Sequence, residues 1–100
     1  MTSSPTDLTL AHARAVRFSD EALIVELVDG RTLSVPLSWY PRLAHATAEE
    51  RGRCRLIANG RGVHWDAIDE DISVEGLLAG RRSGETQASL RRWFESRKTG

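Results

Sequence analysis

The sequence predicts a small α+β fold: a three-stranded antiparallel meander, two short helices, a fourth strand, a short helix, then a C-terminal amphipathic helix. Three observations carry this reading. Residues 15–36 alternate apolar and polar side chains with the period of a strand, and Asp29–Gly30 interrupts them with a hairpin signal. Helix-capping residues stand ahead of short apolar stretches after positions 38, 47 and 73. Residues 85–97 gather Leu90, Trp93 and Phe94 on one helical face, away from Arg91, Arg92, Glu95 and Lys98.

Taken in order, residues 1–13 are small and polar with one proline, and read as a flexible N-terminal segment. A first strand runs from Ala15 to Phe18 with Val16 and Phe18 on one face, and Ser19-Asp20-Glu21 turns the chain. From Ala22 to Val28, Leu23, Val25 and Leu27 share a face. Asp29–Gly30 then suits a two-residue turn needing positive φ, and Arg31 to Pro36 places Leu33 and Val35 inward. Ser38 caps a helix with Pro41 in its first turn, where the missing N–H is not needed. Thr47 caps the next, with Glu49 and Glu50 at its positive end. Arg53 to Ala58 reads as the fourth strand, ended by Asn59–Gly60. Ser73 caps Val74 to Leu78, Ile72 and Leu77 are spaced as a hydrophobic staple, and Gly80 closes that helix. The organisation is thus a segment 1–13, a folded body 14–80 and a helical tail 81–100.

One hundred residues, 40% of them apolar, support one domain with one modest core. The single cysteine, Cys54, rules out an internal disulfide and fits a reducing compartment. No window approaches a membrane span and the N-terminal residues lack a secretory pattern, so a cytoplasmic location is expected. The formal charge of zero hides an asymmetry. Residues 1–80 hold eight arginines and twelve acids, whereas residues 81–100 hold six basic groups and two acids. That split points to two parts with different surface roles.

Several motifs lie in order along the body: Asp29-Gly30-Arg31, Val35-Pro36-Leu37-Ser38-Trp39-Tyr40-Pro41-Arg42-Leu43, Gly62-Val63-His64-Trp65, Asp69-Glu70-Asp71-Ile72-Ser73 and Gly76-Leu77-Leu78. Together they resemble the bacterial domain of unknown function 2442 (DUF2442) over roughly residues 15–80. One departure stands out, because Asp66 occupies a position after the tryptophan where the family pattern usually has proline. The resemblance implies a compact α+β fold of three strands, two short helices and a further strand, with no accepted activity or catalytic residues. It also implies two contexts. Some relatives carry a C-terminal helix-turn-helix domain, and others are encoded beside a second small protein in a suspected toxin–antitoxin-like pair. Twenty residues after the matched region hold one helix and not a helix-turn-helix.

Each chemistry-bearing group has a plainer reading beside it. His64, Asp66, Asp69 and Asp71 have metal-ligand chemistry but no established ligand spacing, and the acids with Ser73 suit a turn leading into a helix. Cys54 with His64 lacks a third orienting residue and an oxyanion turn. Trp39, Tyr40 and Trp65 are bulky enough to dominate a small core, which is favoured over a ligand-stacking surface. Arg51, Arg53 and Arg55 alternate, so on a strand they share one face, either as a binding row or as protection of an edge strand.

The expectation is therefore no catalytic, cofactor or metal site, and a partner-binding periphery of Arg51, Arg53, Arg55, Arg91, Arg92, Trp93 and Phe94. The expected partner is a protein. Nucleic acid contacted by Arg81, Arg82, Arg91, Arg92, Arg97 and Lys98 is the alternative, a homodimer stays open, and no membrane role is expected. The tail helix either folds back on the acidic body or docks into a partner.

Overall fold

The computed structural model describes residues 11–99. Two three-stranded antiparallel sheets carry the fold. The first holds β1 (Ala13–Phe18), β2 (Ala22–Leu27) and β3 (Thr32–Pro36) in chain order. The second holds β4 (Cys54–Ile57), β5 (Gly62–Trp65) and β6 (Glu70–Ser73), also in chain order. Between the sheets lie α1 (Pro41–His45) and α2 (Ala48–Gly52); after them come α3 (Val74–Leu78) and α4 (Gln87–Thr99). The α+β architecture and the meander stand as the alternation predicts. Leu23, Val25 and Leu27 are buried in β2, and Val35 is buried in β3.

Several local details differ from the sequence reading. The hairpin loop has three residues, not two: the Gly30 N–H donates to Leu27 O, the Leu27 N–H donates to Arg31 O, and Gly30 alone there takes a positive φ of 97°. Asp29 instead uses its carboxylate to accept from the Arg31 backbone N–H (3.0 Å) and Nε (2.7 Å). Ser38 is not a cap. It sits inside a 3-10 turn (Leu37–Trp39), and α1 starts after Tyr40 with Pro41 at its head. Thr47 does cap α2 in a full capping box, accepting from the Glu50 N–H while the Glu50 carboxylate accepts from the Thr47 N–H. Ser73 caps α3 through the Gly76 N–H at 2.9 Å, and Gly80 follows with φ 75°.

The larger difference is the second sheet. The acids from Asp66 to Asp71, with Ser73, read as a turn leading into a helix, yet residues 62–73 form a hairpin that pairs with β4. Glycine explains how the sheets meet. Gly60 has φ 84°, and a Cβ there would lie 2.7 Å from the Ala13 carbonyl oxygen, so the start of β1 passes directly over it. The core spans both sheets and the helices: Leu23, Leu27, Leu43, Val63, Trp65, Ile68, Val74 and Trp93 are all buried in it.

The expected segment 1–13 falls mostly outside the described residues; Ala11 and Ala13 are buried and β1 begins at Ala13. The tail is not a separate appendage. α4 lies on the body, with Trp93 8% exposed and Leu90 and Phe94 packed against the core. A short amphipathic helix is marginal alone in water, so its order comes from that packing.

Candidate interaction site

The second sheet presents two faces of opposite character. Cys54, Leu56, Val63, Trp65, Glu70 and Ile72 alternate with Arg55, Ile57, His64, Asp71 and Ser73 along its strands. Trp65 is fully buried, donates its Nε1–H to the Arg51 carbonyl at 3.0 Å and meets the edge of Phe18. On the other face, Arg55, His64 and Asp71 stand in register on three adjacent strands. Cys54 and His64 therefore occupy opposite faces, and the nucleophile–base pairing fails on geometry. Burial also pushes the Cys54 thiol upward, away from the thiolate that nucleophilic attack needs.

His64 is held on both ring nitrogens. Nδ1 lies 2.5 Å from an Asp71 oxygen and Nε2 lies 2.8 Å from an Asp66 oxygen. The Asp71 contact, opposed by partial desolvation and aided by Asp66, raises the imidazole above its usual value. Asp66 is lowered in turn, first by Arg55 (3.3 and 3.4 Å) and then by His64. Asp66 thus joins Arg55 to His64. Asp69 does not join this group; its carboxylate faces Arg42 at 3.8 Å. No group of three or more metal-ligating side chains is assembled among the described residues. The His64 cluster is a chain of alternating charges on a sheet surface.

The arginines of the expected row separate. Arg51 belongs to α2 and not to a strand, because the chain changes from helix to strand at Gly52–Arg53. Its guanidinium donates to the carbonyls of Leu43 (2.8 Å) and Ala44 (2.9 Å), satisfying the C-terminal end of α1. Arg53 pairs with Glu49, and Arg55 pairs with Asp66, both at the surface. Next to Arg55 in the chain, Leu56 is 40% exposed on β4, an edge strand of its sheet.

Around α4, Arg42 is the hub. Its Nε and Nη2 hold Glu85 at 2.6 and 3.1 Å, and its Nη1 donates to the carbonyls of Ile68 and Asp69 at 3.1 Å. The pair is largely enclosed, with side chains 16% and 8% exposed. At the far end, Arg97 grips Glu50 in a two-bond fork of 2.8 and 2.9 Å, which with the α2 cap takes the Glu50 carboxyl down to about 2. The two guanidiniums also flank Trp93, at 4.5 Å (Arg97) and 5.6 Å (Arg42) from its ring. Trp93 is thus an anchor for its own body, a correction to its reading as an outward partner contact, and Phe94 is half-buried beside His45. Arg91 and Arg92 face solvent. Sequence reading missed Arg42, Glu50 and Glu85; nothing local links acids 35 residues apart to one helix.

A family model described as "Protein of unknown function (DUF2442)" matches residues 13–83. The chain belongs to the DUF2442 family. Two solved structures share this DUF2442 fold. One is the crystal structure of a protein of unknown function from Rhodospirillum rubrum, 29% identical, covering 78% of this chain and 94% of its own, with a TM-score of 0.66. The other is the solution NMR structure of an uncharacterized protein from Chromobacterium violaceum, 23% identical, covering 86% of this chain and 81% of its own, with a TM-score of 0.68. No curated protein matches the chain. No helix among the described residues is long and apolar enough to cross a membrane.

Proposed function

We propose that this DUF2442 protein is a non-enzymatic protein-interaction module, acting in the cytoplasm as the antitoxin-like or regulatory member of a bacterial two-protein pair. The observation that carries the interaction reading is the outer edge of β4. There Leu56 stands exposed immediately after Arg55, on a strand with one hydrogen-bonded neighbour in its sheet, and Arg53 lies just ahead of that strand. Edge strands offer unpaired backbone groups to an added strand, with side-chain contacts supplying selectivity. The surface pairs of Arg53 and Arg55 contribute little in place and exchange readily for a partner's carboxylates. The partner chemistry is an extended acidic segment with an apolar residue opposite Leu56. The pairing with a neighbouring gene product rests on the family resemblance.

The test is copurification of the tagged full chain from its native host, followed by mass spectrometry, against Leu56→Lys and Arg55→Glu variants whose circular dichroism matches the parent. Loss of one stoichiometric protein from both variants supports the reading. Equal recovery removes the β4 edge, and absence of any stoichiometric protein removes the interaction module.

A second reading is favoured by the solvent face of α4, where Arg91, Arg92 and Lys98 are exposed. A nucleic-acid backbone would meet these three, while Arg82 stacks on Trp39 and Arg97 is held by Glu50. Three phosphate contacts correspond to a log–log salt slope of about −3 for duplex DNA. A flat salt dependence excludes it.

A further inference from the structure

Glu70 is an anomaly in this fold. It opens β6 with its side chain turned toward the core, and its Oε2 is buried without a hydrogen-bond partner. Its other oxygen accepts only from the Asp71 backbone N–H, at 3.1 Å. A buried orphan acceptor on an ionised acid is costly, whereas a protonated acid loses much of that cost. The surroundings point the same way. Burial pushes the Glu70 carboxyl above the ordinary carboxylate range, the Asp71 N–H and the Arg42 charge oppose this, and the charges of Glu85 and Asp71 add to it.

Arg42 connects Glu70 to the C-terminal helix. The guanidinium bonds the carbonyls of Ile68 and Asp69, the two residues immediately before Glu70, and simultaneously clamps Glu85 just ahead of α4. We propose that Glu70 is a proton-controlled competitor for Arg42: as the neutral acid it leaves the Arg42–Glu85 clamp closed, and as the carboxylate it draws the guanidinium away and loosens α4. The charged and titratable groups around Glu70 are Tyr40 and Arg42 from the α1 region, Asp69 and Asp71 beside it, Arg81 and Arg82 across the cavity that Glu70 lines, and Glu85 before α4. Those facing α4 are His45, Glu50, Asp69 and Arg42.

The sign follows from proton linkage. An acid that holds its proton more tightly when folded contributes stability in full below its unfolded value of about 4.3. That contribution falls as pH rises and is gone once pH passes the folded value. The release of α4 therefore accompanies alkalinisation, not acidification.

Carboxyl carbon-13 NMR on the full chain reads the Glu70 titration directly, and amide exchange across residues 88–97, corrected for intrinsic rates, reads the seating of α4. The expected result is a Glu70 midpoint above the ordinary range and a tenfold or greater loss of α4 protection between pH 5 and 8.5. Glu70→Gln should hold protection within twofold across that range, and His45→Gln should leave the loss in place. A Glu70 midpoint near 4.3, or protection that is flat with pH, overturns the proposal. So does a parallel loss in Glu70→Gln. Should that variant fail to fold, the carboxyl titration of the parent decides.

Discussion

Replacing Trp93 with alanine separates a structural C-terminal helix from an attached tail. Trp93 is 8% exposed, lies within the main core cluster and has an arginine over its ring at 4.5 Å. A buried aromatic of this size removes about 150–250 Å² from water. At about 25 cal/mol per Å² that is roughly 4–6 kcal/mol, an upper bound because unfolded chains already bury some surface. Truncations of buried Phe and Trp to alanine cost about 3–5 kcal/mol, in agreement with the upper bound. One feature limits the loss: α4 ends the described chain and can detach, so the cost cannot exceed the free energy of seating it. The expected destabilisation is thus about 3 kcal/mol, a large share of the roughly 5–15 kcal/mol available to a domain of this length. Urea unfolding followed by far-ultraviolet circular dichroism measures it as a lower midpoint. A reduced slope in the variant would show that α4 had left the native state beforehand, since less surface remains to expose. A loss below about 1 kcal/mol with unchanged slope would refute the packing argument and return residues 81–100 to the status of an appendage.

Other expectations follow from single contacts. Gly60→Ala should destabilise by well over the ~1 kcal/mol typical of a strained φ, read as a lower urea midpoint, because the new Cβ meets the Ala13 carbonyl as well as an unfavourable backbone. Thr47→Ala removes the capping box of α2 and should destabilise by about 1 kcal/mol in the same assay. His64 is raised by its carboxylate neighbours, so its contribution is complete below an unfolded value of about 6.5 and is lost as pH rises through the folded value. Imidazole NMR should show that upward displacement in the parent and its reduction in Asp71→Asn. Glu50 is depressed to about 2 by Arg97 and the α2 cap, so its contribution is present above the unfolded value and disappears as pH falls toward 2. Acid unfolding monitored by tryptophan fluorescence should begin at higher pH in Arg97→Gln.

How far the sequence could be read depended on how local each interaction is. The meander was legible because β2 buries Leu23, Val25 and Leu27 on one side while the chain turns tightly at Gly30. The caps at Thr47 and Ser73 were legible because donor and acceptor lie three residues apart. Glu70, Asp71, Ile72 and Ser73 follow strand alternation too, but four residues rich in acids read equally well as a helix approach. Their strand character comes from the ladder with β5, which local propensity does not encode. The arginine row failed for the opposite reason: a spacing of two implies one face only if the backbone stays extended, and it does not at Arg51.

From the residues alone came the class of fold, the first sheet, the helix starts at Thr47 and Ser73, the family and the charge asymmetry of the last twenty positions. All of these depend on neighbours a few positions apart or on composition. Only the folded chain decided that residues 62–73 complete a second sheet, that His64 bridges two carboxylates, and that Arg42–Glu85 and Arg97–Glu50 bind the C-terminal helix down around Trp93. Those contacts join positions 43 and 47 residues apart. Their partners are selected by which surfaces must be buried together, a property of the packed molecule that no local stretch of sequence contains.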